Sequence, residues 1–177
     1  MGGLPVLVVV SGPGGAGKTT LAHALARAVG CPAICRDEIK EGMAHAVPGF
    51  VPGPGDELTR RTLPTFFGVL ELLVRAGVTT VAEAAFQDRV WRPRLAHLSA
   101  FARIRIVHCV VDAEVASARV RRRREDDPVR RAHADASALE RGYEEFDRVS
   151  VDAPWIEVDT TDGYSPALDE VVAFVNG

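Results

Sequence analysis

Gly12-Pro13-Gly14-Gly15-Ala16-Gly17-Lys18-Thr19 is the stretch that decides the fold. It matches GxxxxGK followed by Ser or Thr at every fixed position. The setting matters as much as the letters. A β-branched run over residues 4–10 precedes it and reads as a parallel strand buried on both faces. Lys18–Val29 follows, with Leu21, Leu25 and Val29 on one helical face, until Gly30 and Pro32 stop it. A glycine loop between strand and helix can turn successive backbone N–H groups inward around phosphate oxygens. The helix start adds the positive end of its dipole. Gly12, Gly14, Gly15, Ala16, Gly17 and Thr20 are therefore expected to wrap the phosphates of ATP. Lys18, expected to be exposed in the loop, would reach the β- and γ-phosphates, and the Thr19 hydroxyl would coordinate Mg2+. The competing reading is a turn that only joins a strand to a helix.

Outward from the loop, strand and helix signals alternate. Ala33–Cys35 reads as a second strand, and Asp37 as the opening of a helix reaching Ala46. Residues 47–55 (VPGFVPGPG) read as a loop over a site. Residues 56–76 form a long helical pattern containing Pro64, with Leu63, Phe67, Leu70 and Val74 as its stripe. A third strand is expected at 78–82, a helix at 91–101 and a fourth strand at 103–111. Asp112 caps an arginine-rich helix, which Asp126-Asp127-Pro128 breaks. Residues 137–149 read as a helix, 155–158 as the last strand and 165–175 as the closing helix. Such alternation implies an α/β fold with a parallel five-stranded sheet and helices on both faces.

Composition agrees. The 177 residues suit one domain, residues 1–177, with a core of its own. Apolar residues make up 47% and aromatics 6%, the balance of an α/β protein built on Val, Leu, Ala and Ile. A net charge of −3 argues against a general nucleic-acid-binding surface. Lys18 and Lys40 are the only lysines, and both fall inside motifs. Cys31, Cys35 and Cys109 are odd in number and form no CxxC pair, so reduced thiols are expected and a zinc site is not. The N-terminal apolar run is too short to span a membrane and lacks a basic leader, so a cytoplasmic protein is expected.

Arg36-Asp37-Glu38-Ile39-Lys40 follows the second strand. The end of that strand should face the γ-phosphate across a cleft. A carboxylate there can orient a substrate hydroxyl and take its proton, which makes Asp37 a general-base candidate, with an N-cap as the alternative or additional role. Lys40, one turn on, and Arg36 are candidates for holding substrate. The phosphate loop followed by a strand and Arg-Asp-x-x-Lys resembles the kinase domain of polynucleotide 5′-hydroxyl kinase. It is more loosely similar to the small-molecule P-loop kinases, such as chloramphenicol phosphotransferase and the zeta toxins. That resemblance implies a P-loop NTPase fold of strand order 2-3-1-4-5 with a small helical lid. It also implies Asp37 as the base and Lys40 as a contact to substrate phosphate. This chain has Lys40 where the polynucleotide kinases have arginine, and an ammonium gives no bidentate fork.

Glu83 ends the third strand where a Walker B carboxylate would sit. It is expected to bind Mg2+ through water or to grip a substrate hydroxyl, against the plainer reading of a solvated strand end. Gln87, Arg89 and Trp91 follow, and any of them could touch substrate, with a core or lid contact the more usual role for Trp91. Arg119 and Arg123 share a helix face at i,i+4 within a run that is otherwise a solvated face. The resemblance implies that they are lid arginines, Arg119 near adenine and Arg123 on the moving phosphoryl group. It also implies that Asp159, Thr160 and Thr161 back the adenine ring, where the residues alone allow an ordinary turn. The lid would cover about 119–134, with its tip at Asp126, Asp127, Pro128, Arg130 and Arg131. A substrate-side insert at about 44–67 would line an apolar pocket with His45, Phe50, Phe66 and Phe67. The expected activity is ATP-dependent phosphoryl transfer to a hydroxyl of a small organic acceptor, an antibiotic or metabolite. The rivals are a polynucleotide 5′-hydroxyl kinase and a nucleotide-binding switch with slow ATPase.

Overall fold

The strand before the glycine loop is the centre of the molecule. Every residue of β1 (Val6–Ser11) is buried. Alternation sends Val6, Val8 and Val10 to one face and Leu7 and Val9 to the other. A strand apolar on both sides needs neighbours at both edges and cover on both faces. The computed structural model describes residues 3–53, 55–126 and 146–177, with the backbone alone for 123–126. In it β1 pairs in parallel with β3 (Thr80–Glu83) and β4 (Arg103–Val110). β2 (Ala33–Cys35) flanks β3, and β5 (Trp155–Asp159) flanks β4, both in parallel. The order is β2-β3-β1-β4-β5, the one the resemblance implies.

On the first face α1 (Lys18–Val29) buries Leu21, Ala22, Leu25 and Ala26. Gly30, in the left-handed conformation, ends it by donating to Ala26 O. The closing helix, α6 (Leu168–Asn176), adds Val171 and Val175 to the same cluster. Its expected start at 165 moves to Leu168, because Pro166 disfavours helix at the residue before it. Ser165 instead exchanges backbone hydrogen bonds with Asp159.

The second face is covered by α3 (Glu57–Arg75) and α4 (Asp88–Leu98). Asp56 caps α3, its Oδ1 accepting from Thr59 N at 2.7 Å. α4 begins one turn earlier than the sequence pattern suggests, with acidic Asp88 in its first turn. Phe66, Phe67, Phe86 and Trp91 form an aromatic cluster with centroid separations from 5.2 to 5.8 Å. This corrects the expected apolar pocket. Phe66 is 0% exposed and Phe67 5%, so both rings are spent on the core. Trp91, at 0% exposed, takes the core role that is the more usual one for it.

α2 (Arg36–His45) and α5 (Ala113–Asp126) leave the C-terminal ends of β2 and β4. Residues 146–149 are irregular, so the helix expected over 137–149 does not include them. The expected lid tip starts at Asp126, whose backbone still belongs to α5; its other residues, Asp127, Pro128, Arg130 and Arg131, and the rest of the 137–149 segment lie outside the described residues. Among the described residues, no helix is long and apolar enough to cross a membrane.

Candidate active site

The strands deliver their chemistry at one edge of the sheet. In register, Cys35 faces Glu83, Glu83 faces Val10, and Ser11 faces His108. All of these lie at the carboxyl ends of parallel strands, where α/β sheets bind ligands.

Gly12 and Gly15 show why the loop needs glycine. Their φ angles are 152° and 75°. A Cβ on Gly12 would lie 2.5 Å from Cys109 O, and one on Gly15 2.7 Å from Ala116 O. The loop is thus pressed against β4 and α5, which leaves room for backbone amides and none for side chains. That cradle, opening on the N-terminus of α1, fits a polyphosphate. Gly17 is the N-cap of α1, Ala16 is buried, and Gly14 and Thr20 are exposed at the rim.

Lys18 is not exposed as expected. It is 8% exposed, and its Nζ curls back over the loop to donate to Pro13 O at 2.8 Å. The same ammonium lies 3.9 Å from Glu83 Oε1. Thr19 Oγ1 donates to Glu83 Oε2 at 3.1 Å. Glu83 is 4% exposed, which removes the plain reading of a solvated strand end. Buried Lys18 and Glu83 and half-buried Thr19 therefore form one cluster. A hydroxyl and a carboxylate side by side are hard oxygen ligands suited to Mg2+.

Asp37 lies in the first turn of α2, where Arg36 Nη1 donates to its Oδ1 at 2.7 Å. The N-cap position belongs to Cys35, so Asp37 is not the cap. Lys40 is placed differently from expectation. It is 3% exposed, and its Nζ lies 2.9 Å from Asp56 Oδ2. Its charge is given to the start of α3 and not presented to the cleft. Burial alone would raise the Asp56 carboxyl, but Lys40 and the Thr59 and Gly53 amides hold it down at about 2. Gln87 is half-buried at the N-cap of α4, and Arg89 is exposed.

At the far end of the loop, Thr160 is the meeting point. Its Oγ1 lies 3.1 Å from Ala16 O and 3.3 Å from Val110 O. Arg119 Nη1 donates to that hydroxyl at 3.2 Å and Nη2 to Thr160 O at 2.6 Å. Thr161 Oγ1 accepts from Asp112 N at 2.9 Å. The Thr161 amide donates to Asp159 Oδ1 and holds that carboxyl below its ordinary range. So Arg119, Thr160 and Thr161 do come together beside the phosphate loop. The side chain of Arg123 lies outside the described residues.

Two features escape a reading of the sequence. Asp56 anchors Lys40, and the only hint was an aspartate before a helical pattern. A cavity of about 190 Å³ lies beside the loop, lined by Gly12, Pro13, His108, Cys109, Phe146 and Arg148 among others. Among the described residues, His108 Nδ1 and Ser11 Oγ are buried without a hydrogen-bond partner. No local pattern in β4 announces this. Burial, then Arg148, lowers the His108 pKa, against the opposing pull of Glu157.

Residues 7–149 match the family described as AAA domain. No curated protein matches the sequence. Among solved structures, a candidate kinase from Chloroflexus aurantiacus J-10-fl superposes with a TM-score of 0.83 at 21% identity, covering 98% of each chain. A sugar kinase from Janibacter sp. HTCC2649 gives 0.69 at 21% identity, covering 98% of this chain and 95% of that one. The APS kinase CysC of Mycobacterium tuberculosis, in complex with AMPPNP and APS, gives 0.60 at 16% identity over 98% of each chain. Identities this low speak for a shared fold alone.

Proposed function

The chain belongs to the AAA-domain family, and from that premise we propose that it is an ATP-dependent phosphotransferase acting on a hydroxyl of a small organic acceptor. The observation that carries the reading is the convergence of Lys18, Thr19 and Glu83 at the mouth of the loop. Asp37 stands two residues past Cys35, the register partner of Glu83, on the next strand. The fold neighbour holding AMPPNP, an ATP analogue, supports ATP as the nucleotide. When bound, ATP with Mg2+ supplies the phosphoryl group and the cation that offsets its oxygens. Thr19 would hold the ion directly and Glu83 through water.

Each residue then has a task. The loop amides bind the phosphates. Lys18 has three N–H donors and gives one to Pro13, which leaves others for phosphate oxygens. Asp37 takes the proton of the acceptor hydroxyl, oriented by Arg36. Arg36, Glu83 and Gln87 line the acceptor side. Arg119, with Asp159, Thr160 and Thr161, backs the nucleoside end, and Arg123 offsets charge on the transferring group. Lys40 keeps α2 against the start of α3 and takes no part in substrate binding.

Two observations support a small acceptor over a polynucleotide. The net charge is −3, and both lysines are buried in ion pairs or the loop. A basic surface for a phosphate backbone needs more. A switch protein needs no hydroxyl-activating carboxylate in the cleft, so Asp37 favours transfer. The test is transfer of labelled γ-phosphate from ATP across alcohols, sugars, aminoglycosides, phenicols and 5′-hydroxyl oligonucleotides. Labelling of a small alcohol is expected. Labelling of oligonucleotides alone overturns the acceptor class, and release of inorganic phosphate with every acceptor overturns the transferase.

A further inference from the structure

His23, Cys35 and Glu38 come from three consecutive elements, α1, β2 and α2, and converge on one point. His23 Nε2 lies 2.6 Å from Glu38 Oε1 and 3.7 Å from Cys35 Sγ. The three ligand atoms all lie within 4.8 Å of one another. Cysteine spacing gives no sign of this, because only the fold brings residue 23 beside 35 and 38.

In the metal-free chain, protons hold the cluster together. The imidazole Nε2 of His23 meets the Glu38 carboxylate on one side and the Cys35 thiol on the other. Burial, then Glu83, Glu38 and Asp37, push the Cys35 thiol up, so it stays protonated. A soft cation can replace both protons. The thiol proton leaves to solvent, the ring proton moves to Nδ1, and Nε2, Sγ and a carboxylate oxygen become ligands. For tetrahedral zinc with ordinary bond lengths, the N···S separation is about 3.6 Å. The observed 3.7 Å already meets it. The imidazole and carboxylate, 2.6 Å apart, have to open to about 3.4 Å, and both side chains are 45% exposed and able to do so. That exposure also leaves a fourth position for water.

The geometry points to a binding site for one thiophilic divalent cation, zinc by ligand chemistry, formed by His23, Cys35 and Glu38. It is distinct from the Thr19–Glu83 pair, although His23 lies one turn beyond Thr19 on α1 and Cys35 faces Glu83 in register. A cation there would offset the carboxylates of Glu38, Asp37 and Glu83, which crowd the thiol.

The test uses the full, nucleotide-free chain with excess Mg2+, titrated with Co2+ and then Zn2+. One equivalent of Co2+ is expected to give a sulfur-to-cobalt charge-transfer band that Zn2+ displaces. Cys35→Ser and His23→Ala should each abolish the band and weaken Zn2+ binding by about a hundredfold or more, beyond the loss typical of an outer-shell change. Cys31→Ser and Thr19→Ala should leave both readings unchanged. Cys35 is buried and its variant could misfold, but His23 is half exposed, so His23→Ala keeps the test valid. A wild-type chain without the band, a band that survives Cys35→Ser, or unchanged Zn2+ affinity in His23→Ala would overturn the site.

Discussion

Asp37 and Gly15 give the sharpest tests at the scale of single residues. Asp37→Asn keeps the shape of the side chain and can still accept from Arg36, but it takes up no proton. The helix cap is at Cys35, so no cap is lost, and stability should change by less than about 0.5 kcal/mol. Transfer to the acceptor should fall by a factor of about 10²–10⁴, with ATP affinity kept. Single-turnover transfer and nucleotide titration read the two effects apart. A wild-type rate would remove Asp37 as the base and make Glu83 the next candidate. Gly15→Ala tests the cradle instead. The added Cβ would sit 2.7 Å from Ala116 O at a φ of 75°. The cost should be about 1–3 kcal/mol of stability, together with loss of nucleotide binding. Urea unfolding that matches the wild type would show that the loop yields freely. Lys18→Ala is a less clean test than the sequence suggests, because the ammonium is buried beside Glu83. Its effect on stability has to be measured beside its effect on transfer.

Between elements, the Lys40–Asp56 pair ties α2 to the start of α3, with side chains 3% and 10% exposed. Asp56 is held at about 2 against an ordinary 3.8. Its folded pKa is depressed, so its contribution is complete above about pH 4 and is lost as pH falls towards 2. Asp56→Asn should flatten that part of a melting-temperature profile. Asp56→Ala at neutral pH should cost about 3–5 kcal/mol, since it strands a buried ammonium. If Asp56→Asn keeps the full acid dependence, other carboxylates carry it. The pair also marks how far the sequence could be read. Strand positions and sheet order followed from β-branched runs, the glycine loop and the resemblance, because those signals are local. Lys40 was expected at the substrate because it shares a helical turn with Asp37. Its true partner is sixteen residues away, across a Pro/Gly loop, and no periodicity encodes such a contact. Phe66 and Phe67 failed in the same way. Their spacing fits a helix face, but only the neighbouring Phe86 and Trp91 decide that the face is core.

Across the whole molecule, Thr160 joins segments that the sequence sets far apart. Its hydroxyl reaches Ala16 O of the phosphate loop, 144 positions away, and Val110 O at the end of β4. Arg119 of α5 donates to it from a third direction, and the Thr160 amide donates to Val110 O. The residue is 3% exposed, so its hydrogen bonds have little competition from water. Thr160→Val keeps the volume and removes the hydroxyl. It leaves Ala16 O and one Arg119 N–H short of a partner, at a cost of about 1–3 kcal/mol. Arg119 still holds Thr160 O at 2.6 Å, so α5 should stay docked and the fold should survive. The phosphate loop, no longer pinned at Ala16, should bind ATP more weakly. Ligand binding to the native state adds about 2.7 kcal/mol at a hundred times Kd. At one fixed ATP concentration, the gain in melting temperature should therefore be smaller in Thr160→Val than in wild type, on top of a lower starting value. Denaturant unfolding with and without ATP–Mg2+ separates the two terms. Equal stability and an equal ATP-induced gain in the variant would mean that the hydroxyl only fills space, and that the loop is held by the packing of Gly12 on Cys109 and Gly15 on Ala116.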